Sequence, residues 1–161
     1  YSSAASDVYK RQHSNRVFEY KGISRPAKVK IADYRVEQLL DKLIDNAIDF
    51  SNEGSRIEVS IFSSEERFIL TVANEGPKIP TEMLENVFDS MISIRETNPD
   101  NRLHFGMGLY VVRIIAKHHG GNVKAVNLSG GRGVKIDVSL PEFSELRPIS
   151  KTNSELNTEK A

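Results

Sequence analysis

The chain has no cysteine, which excludes disulfides, thiolate metal sites and a cysteine nucleophile. It also lacks net charge, because 22 basic side chains balance 22 acidic ones. Nucleic-acid binding calls for a basic stripe that neutralises phosphates, so this balance speaks against a nucleic-acid partner. No apolar run approaches the roughly 18 residues that span a bilayer. Histidine is scarce, with four in 161 residues. What remains is ordinary globular material, 39% hydrophobic and 27% charged, long enough for one domain with a real core. No internal repeat divides it.

Residues 1–15 are polar and aperiodic and read as a disordered leader or artefact outside the fold. Val17-Phe18-Glu19-Tyr20 and Lys28-Val29-Lys30-Ile31 read as short strands around a turn at 22–26. Asp33 is placed as the N-cap of a helix whose apolar positions, Leu39, Leu40, Leu43, Ile44, Ala47 and Ile48, form one buried stripe. Residues 56–62 and 67–72 alternate as an antiparallel hairpin. Thr81 is expected to cap a short helix over 82–87. Residues 89–105 read as a long functional loop, a lid. A helix over 107–119 is expected to bury Met107, Val111, Ile114, Ile115 and His118 before Gly120-Gly121 stops it. Strands over 122–128 and 134–140 follow, and residues 144–161 read as a disordered tail. Strands mixed with helices, without repeating βαβ units, predict an α+β two-layer sandwich over residues 16–143.

Three segments carry chemistry. Asn46 sits at the edge of the apolar helix stripe, where its amide oxygen suits a Mg²⁺ shared with substrate phosphates; alone, it is better described as a surface amide. In Asn74-Glu-Gly-Pro-Lys-Ile-Pro80, Asn74 offers an amide to a base edge. Gly76 permits a positive φ and close approach to a flat ligand, and Ile79 walls an apolar pocket. Alone, the segment is better described as a strand-exit turn. Gly106-Met107-Gly108-Leu109 opens a helix with N–H groups free to cradle phosphates. It is neither a P-loop nor a dinucleotide fingerprint.

In this order, the segments resemble the ATP-binding domain of sensor histidine kinases, within the gyrase, Hsp90, histidine-kinase and MutL superfamily. The resemblance covers roughly residues 16–141. Leu40-Asp-Lys-Leu-Ile-Asp-Asn-Ala47 looks like the N box, with Asn46 as magnesium ligand. Val72-Ala-Asn-Glu-Gly-Pro-Lys-Ile-Pro80 looks like the G1 box at the adenine pocket. Val87-Phe88-Asp89 looks like the F box, and His104-Phe-Gly-Met-Gly-Leu109 like the G2 box on the phosphates. Gly131-Arg-Gly-Val134 looks like the last glycine box, which adds Gly133 to the site. The stretch over 88–95 also resembles kinases of proteobacterial sortase systems.

The resemblance implies a Bergerat-type fold with a mixed, mostly antiparallel sheet and helices on one face. It implies ATP and Mg²⁺ as ligands. The acceptor would be a histidine on the kinase's own dimerisation domain, with a response regulator downstream and a homodimeric, inner-membrane sensor whose cytoplasmic part this is. No residue is assigned as a catalytic base; Arg95 and Arg102 could reach the phosphates. His13, His104, His118 and His119 all lack a helical-hairpin setting, so the phosphoacceptor is expected outside the chain. The sequence departs from the family pattern at Asn74 (an aspartate elsewhere), Lys78, His104 and Lys42. Lys42 stands where hydrolytic relatives carry a glutamate base, and a protonated ammonium cannot activate water. The alternatives are a degenerate nucleotide sensor and an anti-sigma-type serine kinase.

Overall fold

The computed structural model describes residues 15–22, 28–64, 66–89 and 107–143. The expected hairpin forms the middle of the sheet. β1 (Val17–Lys21) pairs parallel with β2 (Arg56–Ser64), and β2 pairs antiparallel with β3 (Arg67–Glu75). β4 (Asn122–Asn127) and β5 (Gly133–Pro141) form a second antiparallel pair, joined to the first through β3 and β5. The strand order is β1-β2-β3-β5-β4, so the sheet is mixed and mostly antiparallel as expected.

Two helices cover one face. α1 (Asp33–Phe50) buries Leu39, Leu43, Ile44 and Ala47, and α2 (Gly108–His118) buries Leu109, Val112, Ile115 and Ala116. Leu39, Leu43 and Ala47 and all four α2 residues join Ile57, Leu70, Val72, Ile136 and Val138 of the sheet in one apolar cluster. The opposite face is polar. There Lys21 pairs with Glu58 at 2.7 Å, Lys135 with Asp137 at 3.1 Å, and the Thr71 hydroxyl donates to Asp137 at 2.7 Å. An apolar face and a charged face on one sheet require a single helical layer, which is why the fold stops at two layers.

Several local expectations give way to tertiary packing. Lys28-Val29-Lys30-Ile31 is not a strand, since only an isolated bridge joins Val29 to Glu142; the strand beside β2 is β1, which takes the parallel register. Asp33 is the first helical residue rather than the cap, because Ala32 holds the extended N-cap position without a side-chain bond. Thr81 caps no helix: Pro80 precedes two 3-10 turns, Thr81–Met83 and Asn86–Phe88. On α2 the buried stripe runs through Leu109, Val112 and Ile115–Ala116. Met107 and Ile114 are each 48% exposed, and His118 lies at the surface. Two apolar stripes share this helix, and the one that meets β4 and β5 is buried. Among the described residues, no helix is long and apolar enough to cross a membrane.

Candidate functional site

Asn74 is a polar residue on the apolar face. Paired residues on neighbouring strands project to the same side of a sheet. One such row runs Phe18, Ile57, Asn74, Val134, Asn127 across all five strands. Asn74 is 3% exposed, and an amide in such a place must find partners. Its Nδ2 donates to the Phe50 carbonyl at the end of α1 at 3.3 Å, and more weakly to the Glu75 carbonyl at 3.5 Å. No donor holds Oδ1 among the described residues, and no fully buried side-chain oxygen there lacks a partner. Oδ1 is therefore the end of the amide left free to accept. Phe50 determines that orientation, because a carbonyl can bond only the NH₂ end of the amide. An aspartate at 74 would set oxygen against oxygen there.

Gly76 and Gly133 bracket this arrangement. A Cβ on Gly76 would collide with the Phe50 carbonyl oxygen, and one on Gly133 with the Asn74 carbonyl oxygen. The positive φ expected of Gly76 is not used. Its missing side chain admits the protein's own helix end. Gly133 does take a left-handed φ of 152°.

Ile79 packs against the core as a partly buried wall. Its backbone is gripped from both sides by Asn127, whose Oδ1 accepts from the Ile79 N–H at 2.9 Å and whose Nδ2 donates to the Ile79 carbonyl at 2.7 Å. Sequence reasoning missed Asn127 and Phe50. The first signals itself only through its place in Asn74's row, and the second acts through a carbonyl that any residue has. Replacing Asn127 with alanine should remove about 1–2 kcal/mol of stability for the two bonds and raise the exchange rate of the Ile79 amide hydrogen. Unchanged exchange at Ile79 would refute the clamp.

The C-terminal half of α1 lies beside the N-terminus of α2. The Lys42 Cδ lies 3.8 Å from the point where a Gly108 Cβ would be. Asn46 stands one turn further on the same face of α1, half-buried and with no side-chain bond among the described residues. Lys42 pairs only loosely with Asp45, at 3.8 Å. At the start of α2, the exposed Met107 is the N-cap, and Gly108 and Leu109 are the first helical residues. First-turn N–H groups have no intrahelical acceptor and carry the positive end of the helix dipole. The Leu109 side chain itself is in the core. Gly106, His104, Arg95, Arg102 and residues 90–105 of the expected lid lie outside the described residues, as does His13. Asp89, just before them, is tied to Arg113 of α2 at 2.7 Å. Among the described residues, no three His, Asp or Glu side chains converge as a metal site.

The candidate site thus has three parts: an amide at the end of β3 whose oxygen is free, a free amide on α1, and a helix start that lies beside Lys42 of α1. A family model described as "Histidine kinase-, DNA gyrase B-, and HSP90-like ATPase" matches residues 32–144. The sensor protein ChvG of Agrobacterium fabrum is 33% identical over 122 residues, and the sensor histidine kinase WalK of Bacillus subtilis 32% over 123. Each alignment covers 75% of this chain and 20% of the relative, so the chain spans about a fifth of their length. Among solved structures, the histidine kinase ThkA in complex with the response regulator TrrA superposes with a TM-score of 0.68 at 24% identity. That match covers 89% of this chain and 40% of the other. None of these three is named for a sortase system.

Proposed function

The chain belongs to the histidine kinase-, DNA gyrase B- and HSP90-like ATPase family, and from that membership we propose that it binds Mg–ATP and delivers the γ-phosphoryl group to a histidine of a separate dimerisation domain. The observation that carries this reading is the wiring of Asn74. Its NH₂ is bonded to the Phe50 carbonyl, which leaves its oxygen as the free end of the amide, and an oxygen acceptor matches the exocyclic amine of adenine. Ile79 walls the base, and the N–H groups of Gly106, Met107, Gly108 and Leu109 receive the phosphates. Gly133, which packs against the Asn74 carbonyl, completes the proposed nucleotide site.

Mg²⁺ fits Asn46 in one way only. With a single free amide and no convergent acidic cluster among the described residues, the remaining ligands of the ion would be phosphate oxygens and water. Such an ion would neutralise charge on the transferring phosphoryl group. Lys42 supplies no base for water attack, in keeping with transfer to a protein acceptor rather than hydrolysis. ThkA's recorded complex with a response regulator supports a response regulator as downstream partner here. ATP places the work on the cytoplasmic side of a sensor, and a homodimer is the expected state of the full protein.

With γ-labelled ATP and Mg²⁺, the chain alone should stay unlabelled. His118 is a surface residue at the end of α2, and the His119 ring is bonded to the Ile115 carbonyl at 2.7 Å. Adding the cognate histidine-containing domain should produce label there that is acid-labile. Acid-stable label on a partner would instead establish the serine-kinase alternative, and label on His118 or His119 would contradict transfer to an outside acceptor.

A further inference from the structure

The residue just before β1 reaches the base end of the cleft through a short chain of contacts. Arg16 grips Ser51 twice: its Nε donates to the Ser51 hydroxyl at 2.8 Å, and its Nη2 to the Ser51 carbonyl at 3.1 Å. Ser51 is the buried C-cap of α1, and its hydroxyl also donates to the Ile48 carbonyl at 3.1 Å. The neighbouring residue is Phe50, whose carbonyl holds the Asn74 amide and lodges against Gly76.

We infer that Arg16 is a positioning residue for base recognition, holding the Phe50 carbonyl where it keeps the Asn74 oxygen turned toward the cleft. The inference rests on the reading of Asn74 as the base-contacting group. Two observations separate Arg16 from a simple brace. First, the start of β1 is already laced to the turn after α1 without it. The Gly54 N–H donates to the Asn15 carbonyl at 2.7 Å, the Val17 N–H to the Ser55 carbonyl at 3.1 Å, and the Asn15 amide to Glu53 at 3.2 Å. Second, α1 has no basic residue in its last turn. The final carbonyls of a helix lack intrahelical donors and carry partial negative charge, so Arg16 supplies from outside the cation that the helix lacks. Its planar fork meets hydroxyl and carbonyl together, a geometry that a lysine cannot reproduce.

If that grip is lost, the end of α1 can shift and Asn74 can rotate its amide, presenting NH₂ instead of oxygen. Such a change is read by comparing ATP with inosine triphosphate. The two carry the same phosphates, but a 6-amino group needs an acceptor from the protein and a 6-oxo group needs a donor. Calorimetry on the whole chain should give a wild-type preference for ATP of about 30-fold, since a mismatched base leaves a buried polar group unpaired. Arg16→Lys and Ser51→Ala should lower the ratio to about fivefold or less, by weakening ATP and sparing or improving inosine triphosphate. Arg16→Ala should do the same; where it fails to fold, judged by circular dichroism, the two milder variants carry the comparison. In an Asn74→Ala background, which discriminates little, Arg16→Lys should change nothing further. A wild-type ratio that persists in the Arg16 and Ser51 variants, with both nucleotides weakened equally or not at all, overturns the inference alone. A wild-type ratio near one with ATP still bound overturns the reading of Asn74 and the inference with it.

Discussion

Replacing Gly76 with alanine should destabilise the protein by about 3 kcal/mol or more, lowering the unfolding midpoint by roughly ten degrees. The added carbon would occupy the place of the Phe50 carbonyl oxygen. Relief requires β3 and the end of α1 to part, which also breaks the Asn74–Phe50 bond. ATP affinity should therefore fall with stability, since the amide proposed to read the base loses its anchor. Gly133→Ala should behave similarly, because its new carbon meets the Asn74 carbonyl oxygen and its φ is left-handed. Gly54 is the control. It also has a positive φ, 73°, but nothing lies within 4 Å of a Cβ there, so Gly54→Ala should show only the left-handed backbone cost, about 1 kcal/mol. Thermal unfolding of the three variants side by side decides the matter. If Gly76→Ala melts no lower than Gly54→Ala, the close packing of β3 on the end of α1 is wrong.

Asn46→Ala should remove the magnesium dependence of nucleotide binding. In wild type, chelating Mg²⁺ should weaken ATP by roughly 30- to 150-fold, the equivalent of about 2–3 kcal/mol for an oxygen ligand to a charged centre. The variant should bind ATP as weakly as chelated wild type, with or without EDTA. That convergence distinguishes a lost metal ligand from general damage to the helix, which would leave the EDTA effect in place. Stability should hardly change, because the Asn46 side chain makes no hydrogen bond among the described residues. Wild-type affinity that is equal with and without EDTA would end the magnesium role of Asn46.

The sequence alone was informative wherever a local pattern and a buried face coincided. The α1 stripe, the alternation of β2 and β3 and the final hairpin all follow from periodicity, because each element has one side that must leave water. The glycine and asparagine segments made the family resemblance legible through their order along the chain, and the matching family model bears that resemblance out. Periodicity failed where two patterns competed. Helix α2 carries apolar residues on more than one face, and contact with β4 and β5 selects Leu109, Val112 and Ile115 over Met107 and Ile114. It failed also where a strand-like segment, Lys28-Val29-Lys30-Ile31, found no partner beyond a single bridge.

The parts of the site that depend on distant backbone were hidden from the sequence. Residue 74 was visible as an amide, but its orientation belongs to the Phe50 carbonyl, 24 residues away. Gly76 was visible as permissive, but not that it makes room for that same carbonyl. Asn127 and Arg16 act through long-range bonds, to Ile79 and Ser51. Residue types and their spacing thus determined the elements, the family resemblance and the candidate ligands. Only the tertiary structure decided which atom of Asn74 is bonded to the Phe50 carbonyl and which is left free. The reason is physical: a side-chain pattern records which face is buried, whereas hydrogen bonds to backbone carbonyls leave no mark in the identity of the residue that supplies them.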